Sequence, residues 1–149
     1  MKQLFFYFIM LFFLYKNSYS QHTVNNDMEI NNYIKIAESY IIKQDYKNAI
    51  INYTAAITIA PNISHIYEKR SMAYFAEKNY EKAVLDNDKI IELEKNSKKL
   101  SSAYFYRGLC KIILQHWDDG ECEDLNTAKK LGFEAEWENF SMFCPTISN

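Results

Sequence analysis

The sequence predicts an all-α fold on three observations. Glycine and proline together number 5 in 149 residues, too few for the tight turns an all-β chain of this size would need. Apolar residues recur at helical spacing along most of the chain. The pattern of one helix pair then returns 34 residues later, which is the mark of a repeat architecture. With 48% hydrophobic and 16% aromatic residues, the chain can build a real core, and disorder is disfavoured.

The first 20 residues, MKQLFFYFIMLFFLYKNSYS, stand apart. Lys2 supplies a basic start, Leu4 to Tyr15 is unbroken apolar sequence, and Ser18 and Ser20 are small residues flanking Tyr19. This is the layout of a secretory signal peptide over residues 1–20, cut before Gln21 and followed by an N-terminal extension over 21–29. The competing reading is a membrane anchor, but a span needs about 20 apolar residues and Lys16 ends this run early. No cysteine precedes Cys110, so there is no lipoprotein site. The expected localisation is periplasmic or secreted, with no membrane association after the signal is removed. Without Lys2 and Lys16 the chain keeps 15 basic and 19 acidic residues, a net charge of −4, and it has no basic run to attract a phosphate backbone. Nucleic acid is excluded as a partner on that ground.

Tyr33, Ile36, Ala37, Tyr40 and Ile41 form the apolar stripe of one amphipathic helix, and Tyr46, Ala49, Ile50, Tyr53, Ala56, Ile57 and Ala60 form that of a second. Asp45, in the polar break between them, can cap the second helix. Helices joined this tightly lie antiparallel, with Ala37, Ala49 and Ala56 letting the backbones approach. A shift of 34 carries Tyr33 onto Tyr67, Ala37 onto Ser71, Tyr40 onto Tyr74, Tyr46 onto Tyr80 and Ala49 onto Ala83. The spacing predicts helices near 29–43, 46–60, 63–77, 80–95, 100–115, 118–131 and 134–143.

The first unit resembles the tetratricopeptide repeat family. Tyr33, Ile36, Ala37, Tyr40, Ala49, Tyr53, Ala56 and Pro61 stand where that family places Trp, Leu, Gly, Tyr, Ala, Phe, Ala and Pro. The second unit departs from the pattern at Arg70, Asn87, Ile90 and Lys95. The third starts three residues late, keeps Tyr104 and Gly108 in their slots, has Lys111 in place of Tyr, and needs one extra residue in LQHWDDG to align Leu125 and Ala128. Its DDGECEDLNTAKKLG is similar to the last repeat of small exported tetratricopeptide proteins of Bacteroidetes type. The resemblance implies an α-α superhelix with units near 30–63, 64–97 and 101–134, closed by a cap helix over 134–143.

What the family does follows as an expectation. Its concave face is lined by the second, fifth, ninth and twelfth residues of each unit, here Asn31, Ile34, Glu38 and Ile41, then His65, Glu68, Met72 and Phe75, then Ser102, Phe105, Leu109 and Ile112. The Lys/Asn/Arg set by which some members clamp a C-terminal carboxylate is missing. Ile34 and Glu38 stand at the Lys and Asn places and Tyr106 at the Arg place, which disfavours binding of chaperone tails. The expected function is a non-catalytic scaffold that holds a segment of a partner protein in this groove. The alternative is a self-associating module, a homodimer through the same apolar face.

Chemistry is not expected. His22, His65 and His116 have no metal-ligand spacing. The cluster Asp118, Asp119, Glu121, Glu123 and Asp124 fails as a calcium loop because Gln115 and Trp117 fall where acidic ligands belong, and reads instead as a helix start with Asp118 as the cap. No phosphate loop, CxxC pair or nucleophile elbow occurs, so neither cofactor, metal nor enzyme activity is expected. Arg70 and Arg107 replace an expected leucine, each with an aspartate, Asp86 or Asp124, facing it on the second helix, whereas the first unit has Ile36 and Asn52. An arginine–carboxylate pair across the two helices is the plainer reading, and an arginine aimed at a ligand is the other. Three cysteines in an exported chain leave at least one unpaired. A disulfide between Cys122, on the second helix of the third unit, and Cys144, at the end of the cap, would staple the cap to the array. The alternative is three free thiols.

Overall fold

The computed structural model describes residue 10 and residues 26–115 and 120–148. The expected signal segment, Met10 apart, lies outside the described residues, as do His22, His116, Trp117 and the expected cap Asp118. Among the described residues there is no strand, and no helix is long and apolar enough to cross a membrane.

Six α-helices follow one another: α1 (26–42), α2 (Tyr46–Ile59), α3 (Ser64–Ala76), α4 (Tyr80–Leu93), α5 (Ser97–Ile113) and α6 (Glu121–Lys130). From α2 onward each packs on the next. The turns within pairs are built alike. Gln44, Lys78 and Gln115 each take a left-handed φ, of 57°, 61° and 59°, one residue past the last helical turn. In the first two turns the helix is closed by paired backbone bonds, Gln44 N–H to Ile41 O and Asp45 N–H to Tyr40 O, then Lys78 N–H to Phe75 O and Asn79 N–H to Tyr74 O. This is the Schellman arrangement, usually given to glycine. The next residue then starts the following helix, because Asp45 accepts from Asn48 N–H at 3.2 Å and Asn79 from Lys82 N–H at 3.3 Å. One short polar pair thus ends one helix and begins another, which forces the chain back on itself.

Small residues sit where the helices come closest. Ala37, Ala49 and Ala56 are fully buried with Tyr53 and Ile66, so the first core cluster joins α1, α2 and α3. In the third pair Gly108 holds that place. A Cβ added there would stand 2.9 Å from Glu121 O and 3.1 Å from both Asp124 Cβ and Leu125 Cγ, so α5 and α6 touch backbone to side chain. The second pair uses Ser71, whose hydroxyl accepts from buried Asn87 Nδ2 at 2.8 Å, while the same amide reaches Ala83 O at 2.8 Å. Two departures from the apolar pattern therefore satisfy each other.

Differences from the predicted elements lie at the C-terminal end. Helix α5 starts at Ser97, three residues early, because Asn96 caps Lys98 and Lys99 N–H and Glu94 fastens the preceding turn. Helix α6 starts at Glu121, after Gly120 at φ 79°. The cap is helical but is not the single α-helix expected over 134–143. It consists of two 3₁₀ turns, Trp137–Phe140 and Pro145–Ser148, entered through Gly132 at φ 86°. A 3₁₀ turn eclipses residues three apart. Trp137 and Phe140 thereby face the same way, both onto Phe105, at ring-centroid distances of 6.0 and 5.6 Å.

Candidate functional site

The residues expected to line the concave face divide by unit. Met72 on α3 is 56% exposed and stands between two apolar pockets. On one side, Glu38, Ile41, Ile42, Tyr53, Lys69 and Met72 surround a pocket of about 360 Å³. On the other, Ser71, Met72, Phe75 and Tyr106 surround one of about 180 Å³. The structure thus brings together Glu38, Ile41, Met72 and Phe75. Glu68, Met72 and Ser102 share a smaller, tighter hollow with Lys99.

Other expected residues do not join them. Asn31 and His65 are exposed, the latter bonded to Glu68 at 3.2 Å, and Ile34 packs on the first core cluster. Leu109 is half-buried and lines none of these pockets. Phe105 and Ile112 are not free to meet a partner. Ile112 is buried, and Phe105 stacks on Phe133 at 4.2 Å beneath the C-terminal segment. Phe133 follows the left-handed Gly132 directly, so the chain turns back over α5.

Residues outside the expected set also shape the pockets. Ile42 lies one place beyond the twelfth position and is 84% exposed. Tyr106, conspicuous in the sequence only for replacing an arginine, forms the far wall and meets Phe75 edge-on at 6.1 Å. Tyr53 is a core residue whose edge reaches the pocket. Burial, with Glu38 adding to it, pushes its phenol up to about 12, so it stays neutral and a hydrogen-bond donor. Lys69 binds Glu38 at 3.1 Å on a half-open rim, which leaves the pocket's only charges paired. The floor between them is apolar.

The two arginines face inward. Arg70 grips Asp86 through Nε and Nη2 at 2.9 and 2.6 Å and reaches Thr54 on α2 with Nη1 at 3.0 Å. Arg107 grips Asp124 in the same fork and reaches Asp88 on α4 at 2.6 Å. Thr54 and Asp88 are themselves one repeat apart, so each arginine ties its own pair to the pair before it. Burial would lower both guanidinium pKa values, but the carboxylates reverse this and hold both above the ordinary arginine value. Burial still raises Asp86 against the pull of Arg70. The pairing across helices is therefore structural, and neither arginine is aimed at a ligand. Buried Cys110, raised to about 12 by desolvation, is no nucleophile. Cys122 and Cys144 are joined in a disulfide with Cα atoms 5.4 Å apart.

Comparison with known proteins agrees with this geometry. A family model described as Tetratricopeptide repeat matches residues 30–63. The Protein SGT1 homolog of Oryza sativa subsp. japonica is 31% identical over 97 residues, which is 65% of this chain and 24% of that protein. Serine/threonine-protein phosphatase 5 of Homo sapiens is 35% identical over 78 residues, 52% of this chain and 15% of the relative. The chain thus spans a quarter or less of these relatives' length. Among solved structures, the TPR2B domain of yeast Sti1 in complex with a pHsp70 peptide has a TM-score of 0.62 at 26% identity, covering 80% of this chain and 90% of that one. The second TPR domain of human RPAP3, in complex with an HSP70 peptide, has a TM-score of 0.67 at 21% identity, covering 83% and 98%. Residues 30–63 are a tetratricopeptide repeat, and the described chain has the superhelical fold of tetratricopeptide repeat domains.

Proposed function

We propose that this protein is a non-catalytic scaffold that binds a short segment of a partner protein across the concave face of its first two units. The observation that carries the reading is the pair of apolar pockets on either side of exposed Met72, which offers two sockets for side chains of one segment. Structural neighbours solved with bound Hsp70 and Hsp90 peptides support it by analogy of fold. The ligand differs in kind from an acidic chaperone tail. Ile34, Glu38 and Tyr106 replace the residues that would hold a terminal carboxylate, and Lys69 is occupied by Glu38. Apolar side chains, rather than a chain end, are what this surface takes. The apolar run in residues 4–15 and the likeness of the third unit to exported bacterial repeats support a place of work outside the cytoplasm, which cell fractionation tests.

The test is affinity capture from the native organism with mass spectrometry, followed by titration of the captured segment against wild type and Met72→Glu. A charge placed between the two sockets should weaken binding at least about tenfold, a loss of about 1.4 kcal/mol. Equal binding by both forms would move the site elsewhere. Sedimentation of the isolated protein distinguishes a homodimer, in which the same substitution should yield monomer.

A further inference from the structure

The C-terminal segment is attached to the array in an unusual way. Its two 3₁₀ turns carry only bonds that reach back three or four residues, such as Asn139 N–H to Glu136 O and Cys144 N–H to Phe140 O. Its polar contacts to α6 include Phe133 N–H to Ala128 O at 3.0 Å, Lys129 Nζ to Ile147 O at 2.6 Å and Asn126 Nδ2 to Thr146 Oγ1 at 3.1 Å. It is held further by the aromatic cluster on Phe105, the buried side chain of Ile147 and the Cys122–Cys144 bond. Beside that bond lies Glu121, only 4% exposed, whose Oε2 has no hydrogen-bond partner among the described residues. A buried carboxylate oxygen without a partner is costly, and the cost is relieved when water reaches it.

We propose that the disulfide is a redox latch at one end of the groove. With the bond made, residues 133–148 cover Phe105 and the groove stops at Tyr106. With the bond reduced, the segment lifts, Glu121 is hydrated, and Phe105 extends the apolar floor beyond Phe75 and Tyr106. The reductant is a dithiol. One of its thiolates attacks Cys122 Sγ, because Cys122 is partly exposed and Cys144 wholly buried. This forms a mixed disulfide and releases Cys144 as a thiolate, which takes up a proton. The second thiol of the reductant then displaces Cys122, so two electrons pass to the protein and the reductant leaves as a cyclic disulfide. Cys110, buried on α5, takes no part. The consequence for partner binding rests on the groove reading above, whereas the movement of the segment does not and is measured without a partner.

The experiment is hydrogen exchange by mass spectrometry on the full chain, oxidised and then reduced with dithiothreitol, with anilinonaphthalene sulfonate as a probe of exposed apolar surface. The expected result is a loss of protection over residues 133–148 larger than the uniform fall that a less stable fold brings to α2 to α5, a several-fold rise in dye fluorescence, and recovery of both on reoxidation. Phe105→Ser in the reduced protein should remove much of the dye signal. Should that variant not fold, the exchange pattern of wild type and of the double variant Cys122→Ser, Cys144→Ser, which mimics the reduced state, carries the test. Unchanged protection of 133–148 on reduction would overturn the proposal, because the segment would then stay docked without its bond. A loss of protection over α2 to α5 as large as that over 133–148 would overturn it as well, since the segment would then not open by itself.

Discussion

The two ends of the array solve the same packing problem with different chemistry. The first pair is held around the apolar cluster of Ala37, Ala49, Tyr53 and Ala56, with Ile36 and Asn52 at the places where later pairs have an arginine and an aspartate, and its concave side is open around Ile41, Ile42 and Met72. The last pair is held by Arg107, Lys111 and Asp124 and by a glycine contact, a disulfide ties the C-terminal segment to it, and its concave side is filled by the chain's own Phe133, Trp137 and Phe140. A repeat array has no next unit to cover its final apolar face. Here the cover comes from two short 3₁₀ turns, which a covalent bond fastens to α6.

Equivalent substitutions should therefore differ most at the aspartate site. Asp124→Ala strips Arg107 and Lys111 of their shared buried carboxylate and should cost about 3–5 kcal/mol by urea denaturation. Asn52→Ala, at the corresponding place in the first unit, should stay within about 0.5 kcal/mol, because Asn52 donates only to Asn48 O in its own helix. Similar losses in the two variants would erase the distinction. Next in size is the bond itself. It links residues 22 apart, so Cys144→Ser should lower stability by about 3 kcal/mol on the loop-entropy account, and thiol titration of denatured, unreduced wild type should find one free thiol. Three free thiols would show that the last pair manages without it.

In the first pair, Ala49→Leu should cost about 1–3 kcal/mol, because Ala49 is fully buried and a larger side chain must push α1 and α2 apart. An unchanged denaturation midpoint would mean that the contact is loose. The smallest effect concerns the junction of the two halves. Glu94, on the turn before α5, accepts from Asn96 N–H first, then from Ser64 Oγ, with Lys99 and Lys95 N–H adding to the same effect, and these hold its carboxyl at about 2 against an ordinary 4.5. Because the folded value is the lower one, its stabilisation is complete above pH 4.5 and is lost as the pH falls through 2. Glu94→Gln should therefore flatten the acid limb of the stability curve in that window while leaving the rest of the curve in shape. A mutant curve as steep as wild type would place the acid sensitivity elsewhere.

Much of the fold was readable before any coordinates. The 34-residue return of Tyr and Ala positions predicted paired helices, and Asp45 was legible as a cap because an aspartate before an amphipathic run has a specific bond to make. The pairing of Arg70 with Asp86 and of Arg107 with Asp124 was legible too, since arginine and aspartate occur together in two units and are both missing from the first. The turn residues were not. Gln44 and Lys78 occupy the left-handed position without glycine's signature, because the bonds that close the turn outweigh the strain of a side chain there. Half of the site was also hidden. Ile42, Tyr106 and the pocket edge of Tyr53 carry no mark in the sequence, since whether an apolar residue faces a groove or a core depends on the neighbouring helix.

What the sequence determined by itself, then, is local: helix periods, caps, charge pairs and the small residues that set how closely helices approach, all of which act over one or two turns. Only the tertiary structure decided where the groove ends. Phe105 and Ile112 hold the repeat positions of Glu68 and Phe75, on either side of exposed Met72, yet they are covered because a segment some 30 residues further along the chain folds back at Gly132 and buries its aromatic rings there. Burial of that kind is a non-local choice, made by whichever apolar surfaces are left over when the helices have stacked, and a repeat pattern does not encode it.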